Sequence, residues 1–378
     1  MKKVLILSCN TGEGHNSCGR ALLESFRDKG IPCVMEDTFR FISSSVSRLV
    51  SFGFARIYRY LPGVFRIGYQ YSENHPGVFK ENSGIYKLLT FGAERLYRFI
   101  ADGEYDTIIS THEMSALIVA EILRRHQTPL CTYFVATDYT CYPGCEQSDS
   151  DIYFIPDASL TDEFIRFGIP REKLIFSGIP IRKALYRVLE KAEAKQKIGL
   201  TPHCRHLLIM CGSMGCGPIR KLVRELSKSM AESTCISVIC GTNHRLKKTL
   251  ERVYAKETRV KIYGFVNDVS VMMDSADLFL TKPGGISVTE AAQKRLPMAF
   301  VNAVAGCESY NMRFYIYKGV AITADSTKAL AALISVLLAD DVLLKCMAEK
   351  YGDWAENTAT ETVVQTVLNR RVLPGGVV

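Results

Sequence analysis

Several short runs of this 378-residue chain combine residue types that can hold an anion or move a proton. The first is Asn10-Thr11-Gly12-Glu13-Gly14-His15-Asn16-Ser17. Its glycines let backbone N–H groups approach an anion at a helix N-terminus. His15 adds an imidazole, whose ordinary pKa of ~6.5 suits a general base. Gly12 and Gly14 also fit the first two positions of a dinucleotide fingerprint, with Glu36 and Asp37 near the expected end of the second strand. Ser17 stands where the third glycine belongs. On this run alone, a nicotinamide site and a plain tight turn both stay open. Asp138, after Thr137, offers a carboxylate as a rival base or an orienting group.

Two further glycine turns lie in the second half. Gly212-Ser213-Met214-Gly215 follows an apolar strand, and no Gly-Lys-Ser/Thr comes after it, so it is not a Walker site. In Thr281-Lys282-Pro283-Gly284-Gly285-Ile286-Ser287-Val288-Thr289-Glu290 the Pro-Gly-Gly turn exposes amides beside the Lys282 charge. Glu290 lies three residues beyond Ser287, a capping-box spacing, so a capping role competes with a ligand role. Together these turns predict a nucleotide diphosphate held by amides and helix dipoles. Asp149-Ser150-Asp151 has the form of a metal-binding Asp-x-Asp, but such a pair in a polar turn is common by chance. His112-Glu113 lacks the second histidine of a zinc-protease helix. Cys141 with Cys145, and Cys211 with Cys216, lack zinc-site spacing, so no metal is expected.

The elements that must position these residues alternate. Val4–Ser8, Ile31–Met35, Thr107–Ser110 and Leu130–Val135 read as strands, with helices over Ser17–Lys29 and Met114–Arg125. The pattern restarts with strands at His206–Met210, Ile236–Ile239, Val260–Tyr263 and Leu278–Thr281. Helices are expected from Pro218 to Met230, around Arg245–Lys256, through Val269–Ser275 and from Ser287. Near-continuous apolar strands between helices mean parallel sheets covered on both faces. The expected fold is α/β, two Rossmann-like domains facing each other across a cleft. Residues 1–180 are expected to form the first domain, 181–200 a linker, and 201–378 a nucleotide-binding domain ending in helices.

Composition agrees with a globular chain: 47% hydrophobic and 23% charged residues, with no apolar run long enough to span a bilayer. Met1-Lys2-Lys3 leads straight into a short apolar run without a signal-peptide cleavage site. The thirteen scattered cysteines fit a reducing cytosol. A net charge of +8 calls for an acidic partner.

The ordered set Gly264-Phe265-Val266, Met272-Met273, Ser275-Ala276-Asp277, Thr281 to Gly285, Glu290-Ala291, Leu296-Pro297-Met298, Gly306-Cys307-Glu308 and Asn311 resembles one family. It is similar to the monogalactosyldiacylglycerol synthases and processive diacylglycerol glucosyltransferases of glycosyltransferase family 28. Thr11 to His15, Thr137-Asp138 and Gly178-Ile179-Pro180-Ile181 fit the same family in the same order, so the match runs from about residue 4 to about 325. The resemblance implies a GT-B fold and an inverting, metal-independent transfer of a hexose from a UDP-sugar to a lipid such as diacylglycerol, without a cofactor. It places Gly14, Ser213, Met214, Gly215, Phe265, Val266, Lys282, Gly284, Gly285 and Glu290 at the nucleotide or diphosphate. Cys307, Glu308 and Asn311 would lie at the sugar, and His15 and Asp138 at the reacting centre. The chain departs from the family pattern at Tyr142 (usually His), Cys145 (usually Trp) and Cys307 (usually Gln). The first two bear on the acceptor and the third on the sugar.

From Thr38 to Ser72 there is no acidic residue, and arginines, Arg56 and Arg59 among them, mix with aromatics that include Phe52 and Phe54. That composition suits an anionic lipid surface, and with no nucleic-acid signature it ranks above a single-stranded nucleic acid. Internal packing of the same aromatics is the competing reading. A peripheral enzyme on the cytoplasmic face of the cell membrane is therefore expected. A UDP-sugar epimerase of the same architecture and a non-catalytic nucleotide-binding protein are the alternatives. UDP at about 100 times its dissociation constant should add ~2.7 kcal/mol of stability, read as a raised melting temperature, with no effect from NAD or NADP. Stabilisation by NAD alone would restore the dinucleotide reading.

Overall fold

The apolar runs form two parallel sheets in the computed structural model. It describes every residue except 1, 11, 44–61, 82, 302, 304, 305, 353–357, 371, 374, 375 and 378. Phe52, Phe54, Arg56 and Arg59, expected on a membrane surface, lie outside the described residues. The first sheet contains β1 (Val4–Ser8), β2 (Cys33–Asp37), β3 (Thr107–Ser110), β4 (Cys131–Val135), β5 (Ile152–Ile155) and β6 (Leu174–Phe176). Its order is β2-β1-β3-β4-β5-β6, with Val4 opposite Cys33 on one side and Thr107 on the other. The second contains β7 (Arg205–Met210), β8 (Thr234–Ile239), β9 (Val260–Tyr263), β10 (Leu278–Thr281), β11 (Met298–Phe300) and β12 (Ala321–Thr323), in the order β12-β11-β10-β7-β8-β9.

Every residue of β1, β3, β4, β5, β10 and β11 is buried, while the edge strands β2, β9 and β12 are mostly half-buried. Helices on both faces of a parallel sheet require this: a covered strand has no wet side and no alternation. In helix Ile219–Ser229 the buried residues Ile219, Leu222, Val223 and Leu226 recur at helical spacing and meet β7, β8 and helix Thr327–Ala339 in one core.

The contacts divide the chain into two compact units, Met1–Arg182 with Val304–Cys307 and Asn357–Val378, and Lys183–Ala303 with Glu308–Glu356. This departs from the expected boundary at the C-terminal end. Helix Ala359–Asn369 packs against helix Glu13–Asp28 of the first unit, burying Ala359, Val363, Val364 and Val367. Lys29 and Glu361 close that contact with an ion pair at 3.0 Å. Within the expected linker, helix Lys191–Lys197 packs on helix Ser270–Ser275 and belongs to the second unit.

The charged residues of that helix explain its place. Asp277, 5% exposed, binds Lys191 Nζ at 2.8 Å and Lys195 Nζ at 3.0 Å, and accepts the His206 backbone N–H at 2.8 Å. Lys195, 4% exposed, also donates to the Cys204 carbonyl at 2.6 Å. Burial raises the Asp277 carboxyl, but the two lysines and the N–H outweigh it and hold it below the carboxylate range. This contribution to stability is full above an unfolded value of ~3.9 and is lost as pH falls through the lower folded one. Asp277→Ala would strand a buried ammonium. We expect about 3–5 kcal/mol of lost stability in urea unfolding, against a much smaller loss for Asp277→Leu with Lys195→Met. Equal losses in the two proteins would mean that packing, not charge, is what Asp277 supplies.

Candidate functional site

In the second sheet, strand order reverses between β7 and β10, the place where an open α/β sheet leaves a crevice at the carboxyl ends of its strands. The glycine turns picked out in the sequence follow these two strands. Met210 of β7 pairs with Ile239 of β8, so the loops that follow leave the sheet side by side. They touch backbone to backbone. A Cβ on Gly241 would sit 1.9 Å from the Ser213 carbonyl oxygen, and one on Gly215 would sit 2.2 Å from that of Cys240. Both have positive φ, +57° and +55°, so glycine is required twice over. The Thr242 N–H donates to Ser213 O at 2.8 Å and Asn243 Nδ2 to Gly215 O at 3.0 Å. Asn243 Oδ1 accepts from Leu246 N–H, which caps helix His244–Val253.

Lys282 lies over this turn: a Cβ on Gly212 would meet Lys282 Cε at 2.7 Å. Its ammonium pairs with Glu308 Oε1 at 2.7 Å. Asn311, fully buried, donates from Nδ2 to the Pro283 carbonyl at 2.9 Å and so fixes the loop that carries Lys282 and Gly284. Ser213, Met214, Gly215, Lys282, Gly284, Gly285, Glu308 and Asn311 thus gather within one unit. They bring two half-buried glycine turns under one cation, an arrangement suited to a diphosphate.

Glu290 corrects the sequence reading. Helix Gly285–Gln293 starts two residues before Ser287, with Gly284 at its N-cap and no side-chain cap. Glu290 therefore sits in the helix interior, 4% exposed, where a capping box has no place. Phe265, 59% exposed, and Val266 follow the edge strand β9 and enter none of the contacts just described. Cys307 groups with the first unit, while Glu308 and Asn311 group with the second.

In the first sheet the order reverses between β1 and β3. Helix Glu13–Asp28 starts four residues earlier than expected, so Gly14 and His15 belong to its first turn, not to a loop. His15 Nδ1 lies 2.8 Å from the Thr111 carbonyl, just beyond β3, and 2.9 Å from Thr137 Oγ1, just beyond β4. A carbonyl can only accept, so Nδ1 carries the proton and Nε2 the lone pair. The His112 ring stands 4.3 Å away, centroid to centroid. Burial first, then His112, push the His15 pKa down to about 4, against the pull of Glu113 and the Thr111 carbonyl. The expected titration near neutrality is thereby corrected: the imidazole is neutral throughout the physiological range. Asp138, 7% exposed, accepts a short hydrogen bond from the Tyr142 hydroxyl.

The carboxylates of Asp149-Ser150-Asp151 diverge. Asp149 pairs with Lys173 at 2.8 Å, and Asp151 accepts from Thr132 N–H at 2.7 Å and Thr132 Oγ1 at 3.2 Å. Sequence reasoning missed Thr111, Gly241 and Asn243. A glycine just after a strand, followed by an Asn N-cap, marks the last two. Thr111 acts through its backbone, which no side-chain pattern reveals.

Comparison with known proteins agrees with this geometry. The family model for monogalactosyldiacylglycerol (MGDG) synthase matches residues 15–181, and that for the glycosyltransferase family 28 C-terminal domain matches residues 206–338. A processive diacylglycerol beta-glucosyltransferase of Bacillus licheniformis is 28% identical, with 98% of this chain and 95% of the relative covered. Among solved structures, Acinetobacter baumannii MurG superposes with a TM-score of 0.67 at 14% identity, covering 97% of this chain and 99% of that one. The UDP-GlcNAc 2-epimerase of Neisseria meningitidis, bound to UDP-GlcNAc, gives 0.64 at 14%, covering 97% and 100%. These likenesses show the shared fold. With two parallel six-stranded sheets and both models matched in order, the chain has the GT-B fold and carries an MGDG synthase domain followed by a glycosyltransferase family 28 C-terminal domain.

Proposed function

We propose that this chain transfers a hexose from a UDP-sugar to a membrane lipid of the diacylglycerol class, with inversion and without a metal ion or other cofactor. The observation that carries the donor half is the interlock of the 211–217 and 240–243 loops beneath Lys282. It presents turn backbone and one cation to a diphosphate, and charge on the departing group is what such a site stabilises. The acceptor half rests on the relatives, which are named diacylglycerol glucosyltransferases and span nearly the same length. Their products are named as beta-linked, and an α-linked UDP-sugar gives a β-product only by inversion. Inversion needs a base on the acceptor hydroxyl. His15 Nε2 fills that role, neutral and held in one tautomer, and Asp138 is the rival.

A lipid acceptor also needs a surface. No helix among the described residues is long and apolar enough to cross a membrane. Helix Pro62–Asn74, however, exposes Val64, Ile67 and Tyr71, three and four residues apart on one stripe. Beyond it, Ile85, Leu88 and Phe91 are exposed as well. Exposed apolar stripes of this kind mark an interfacial surface, and the first of them lies within the Thr38–Ser72 segment of basic and aromatic residues. We place the anionic membrane face there, with the enzyme peripheral on the cytoplasmic side.

The test is incubation with diacylglycerol-containing vesicles and single UDP-sugars, with products identified by mass spectrometry. A hexosyl lipid is expected. Turnover of UDP-N-acetylglucosamine without lipid would instead indicate an epimerase, and UDP binding with neither reaction a non-catalytic protein. Gly241→Ala, whose Cβ cannot be placed, should lose UDP binding in calorimetry while the His15 side remains folded by NMR. Unchanged UDP affinity would remove the cradle from the donor site. His15→Ala should lower kcat by about 10²–10⁴ and leave the UDP dissociation constant unchanged. Because a group with a lowered pKa stays deprotonated, wild-type kcat/KM should hold level from neutrality down to about pH 5 and fall only near 4. A fall centred near ~6.5 would mean another group limits the rate.

A further inference from the structure

We propose that Tyr142 is a positioning residue that joins Asp138 to His15 through Thr137, making the two acceptor-side groups one hydrogen-bonded unit. This rests on the reading of His15 as the acceptor-side base. The geometry is directional from end to end. His15 Nδ1–H is shared between the Thr111 carbonyl at 2.8 Å and Thr137 Oγ1 at 2.9 Å. Having accepted there, the Thr137 hydroxyl is free to donate to Tyr142 Oη, 3.2 Å away. The Tyr142 hydroxyl in turn donates to Asp138 Oδ2. Each hydroxyl accepts once and donates once, and the chain ends on a carboxylate that can only accept.

The medium makes this chain matter. Thr137, Tyr142 and Asp138 are 2%, 5% and 7% exposed, so water does not compete for their hydrogen bonds, and linked bonds polarise one another. Burial and the Asp138 charge raise the Tyr142 phenol well above its usual value, so it remains a donor. The other titratable groups facing the cluster are His112, Glu113, Tyr69 and Cys307. When the acceptor proton reaches His15 Nε2, the imidazolium Nδ1–H strengthens its bond to Thr137, and the two hydroxyls carry the stabilising effect of the Asp138 carboxylate to it. No proton leaves the chain. The bonds through Thr137 and Tyr142 form the route of coupling between Asp138 and His15. A histidine at this position could also donate to Asp138, and phenylalanine could not.

The experiment is a double-mutant cycle of Tyr142→Phe and Asp138→Asn, with kcat, the UDP dissociation constant and the His15 ring signal as readouts. Each single variant should lower kcat by roughly 10- to 100-fold, as expected for one hydrogen bond to a charged group, with UDP affinity within about twofold of wild type. The double variant should be no slower than the slower single one. Tyr142→His should recover part of the loss. Losses that multiply, or a Tyr142→Phe enzyme with wild-type kcat, would overturn the proposal. The NMR arm uses the protein without sugar or lipid. Asp138→Asn should shift the His15 Cε1–H signal when Tyr142 is present and leave it in place in the Tyr142→Phe background. An equal shift in both backgrounds would also overturn it. Loss of transfer with every UDP-sugar, while the NMR coupling persists, would refute the functional reading and leave the network standing. A UDP-induced rise in melting temperature in each variant shows that it is folded.

Discussion

The contact on which the donor cradle depends is backbone against backbone. Strands β7 and β8 end in register at Met210 and Ile239, so the two loops leaving them have no side-chain layer to keep them apart. They can coexist only if Gly241 and Gly215 present no Cβ where the Ser213 and Cys240 carbonyls lie. The rest follows from that closeness. Thr242 and Asn243 satisfy the carbonyls of the neighbouring turn, and Asn243 also starts the next helix. Gly212 leaves a lane for the Lys282 side chain. A larger residue at any of these glycines would open the turn that aims backbone groups at a ligand.

The first sheet meets the same topological demand with different chemistry. Among the described residues, its switch point shows no cation over a glycine turn. There the start of a helix brings His15 over the ends of β3 and β4, where a carbonyl and a hydroxyl fix the imidazole. Burial then sets the protonation state, because a half-buried ring beside a second histidine resists a positive charge. On the proposed reading, one unit would stabilise an anion and the other would preserve a neutral base. Those are the two electrostatic requirements of moving a sugar from a diphosphate to a hydroxyl.

How far these features were legible in the sequence varied with the kind of force behind them. Val4–Ser8 and Leu278–Thr281 were read with their observed limits, because a buried parallel strand is a near-continuous apolar run. Helix starts were read late at Ser17 and Ser287. Both real N-caps are glycines without a side-chain bond, so the hydroxyl signal pointed inside the helix. The four buried residues of Ala359–Asn369 show an apolar face, but periodicity cannot say which partner covers it, and the partner proved to be the first helix of the chain. The site residues carried by family resemblance fell into two groups that contact geometry can check. The 240–243 loop went unread, and Thr111 remained invisible, since it acts through a main-chain carbonyl that every residue possesses.

The Lys282–Glu308 pair shows why the donor side tolerates a charge before any ligand arrives. Lys282 is partly covered and Glu308 is nearly buried, so an unpartnered ammonium or carboxylate there would be costly. Pairing at 2.7 Å offsets that cost. A diphosphate brings stronger and more numerous acceptor oxygens to the same ammonium, and its gain is measured against the pair it replaces. On the proposed reading, Glu308 would then turn to the hydroxyls of the sugar, as the family resemblance implies. Seating the diphosphate and reading the sugar would become one exchange. A free diphosphate would compensate Lys282 but offer no hydroxyl to Glu308, so on that reading binding would favour the intact donor.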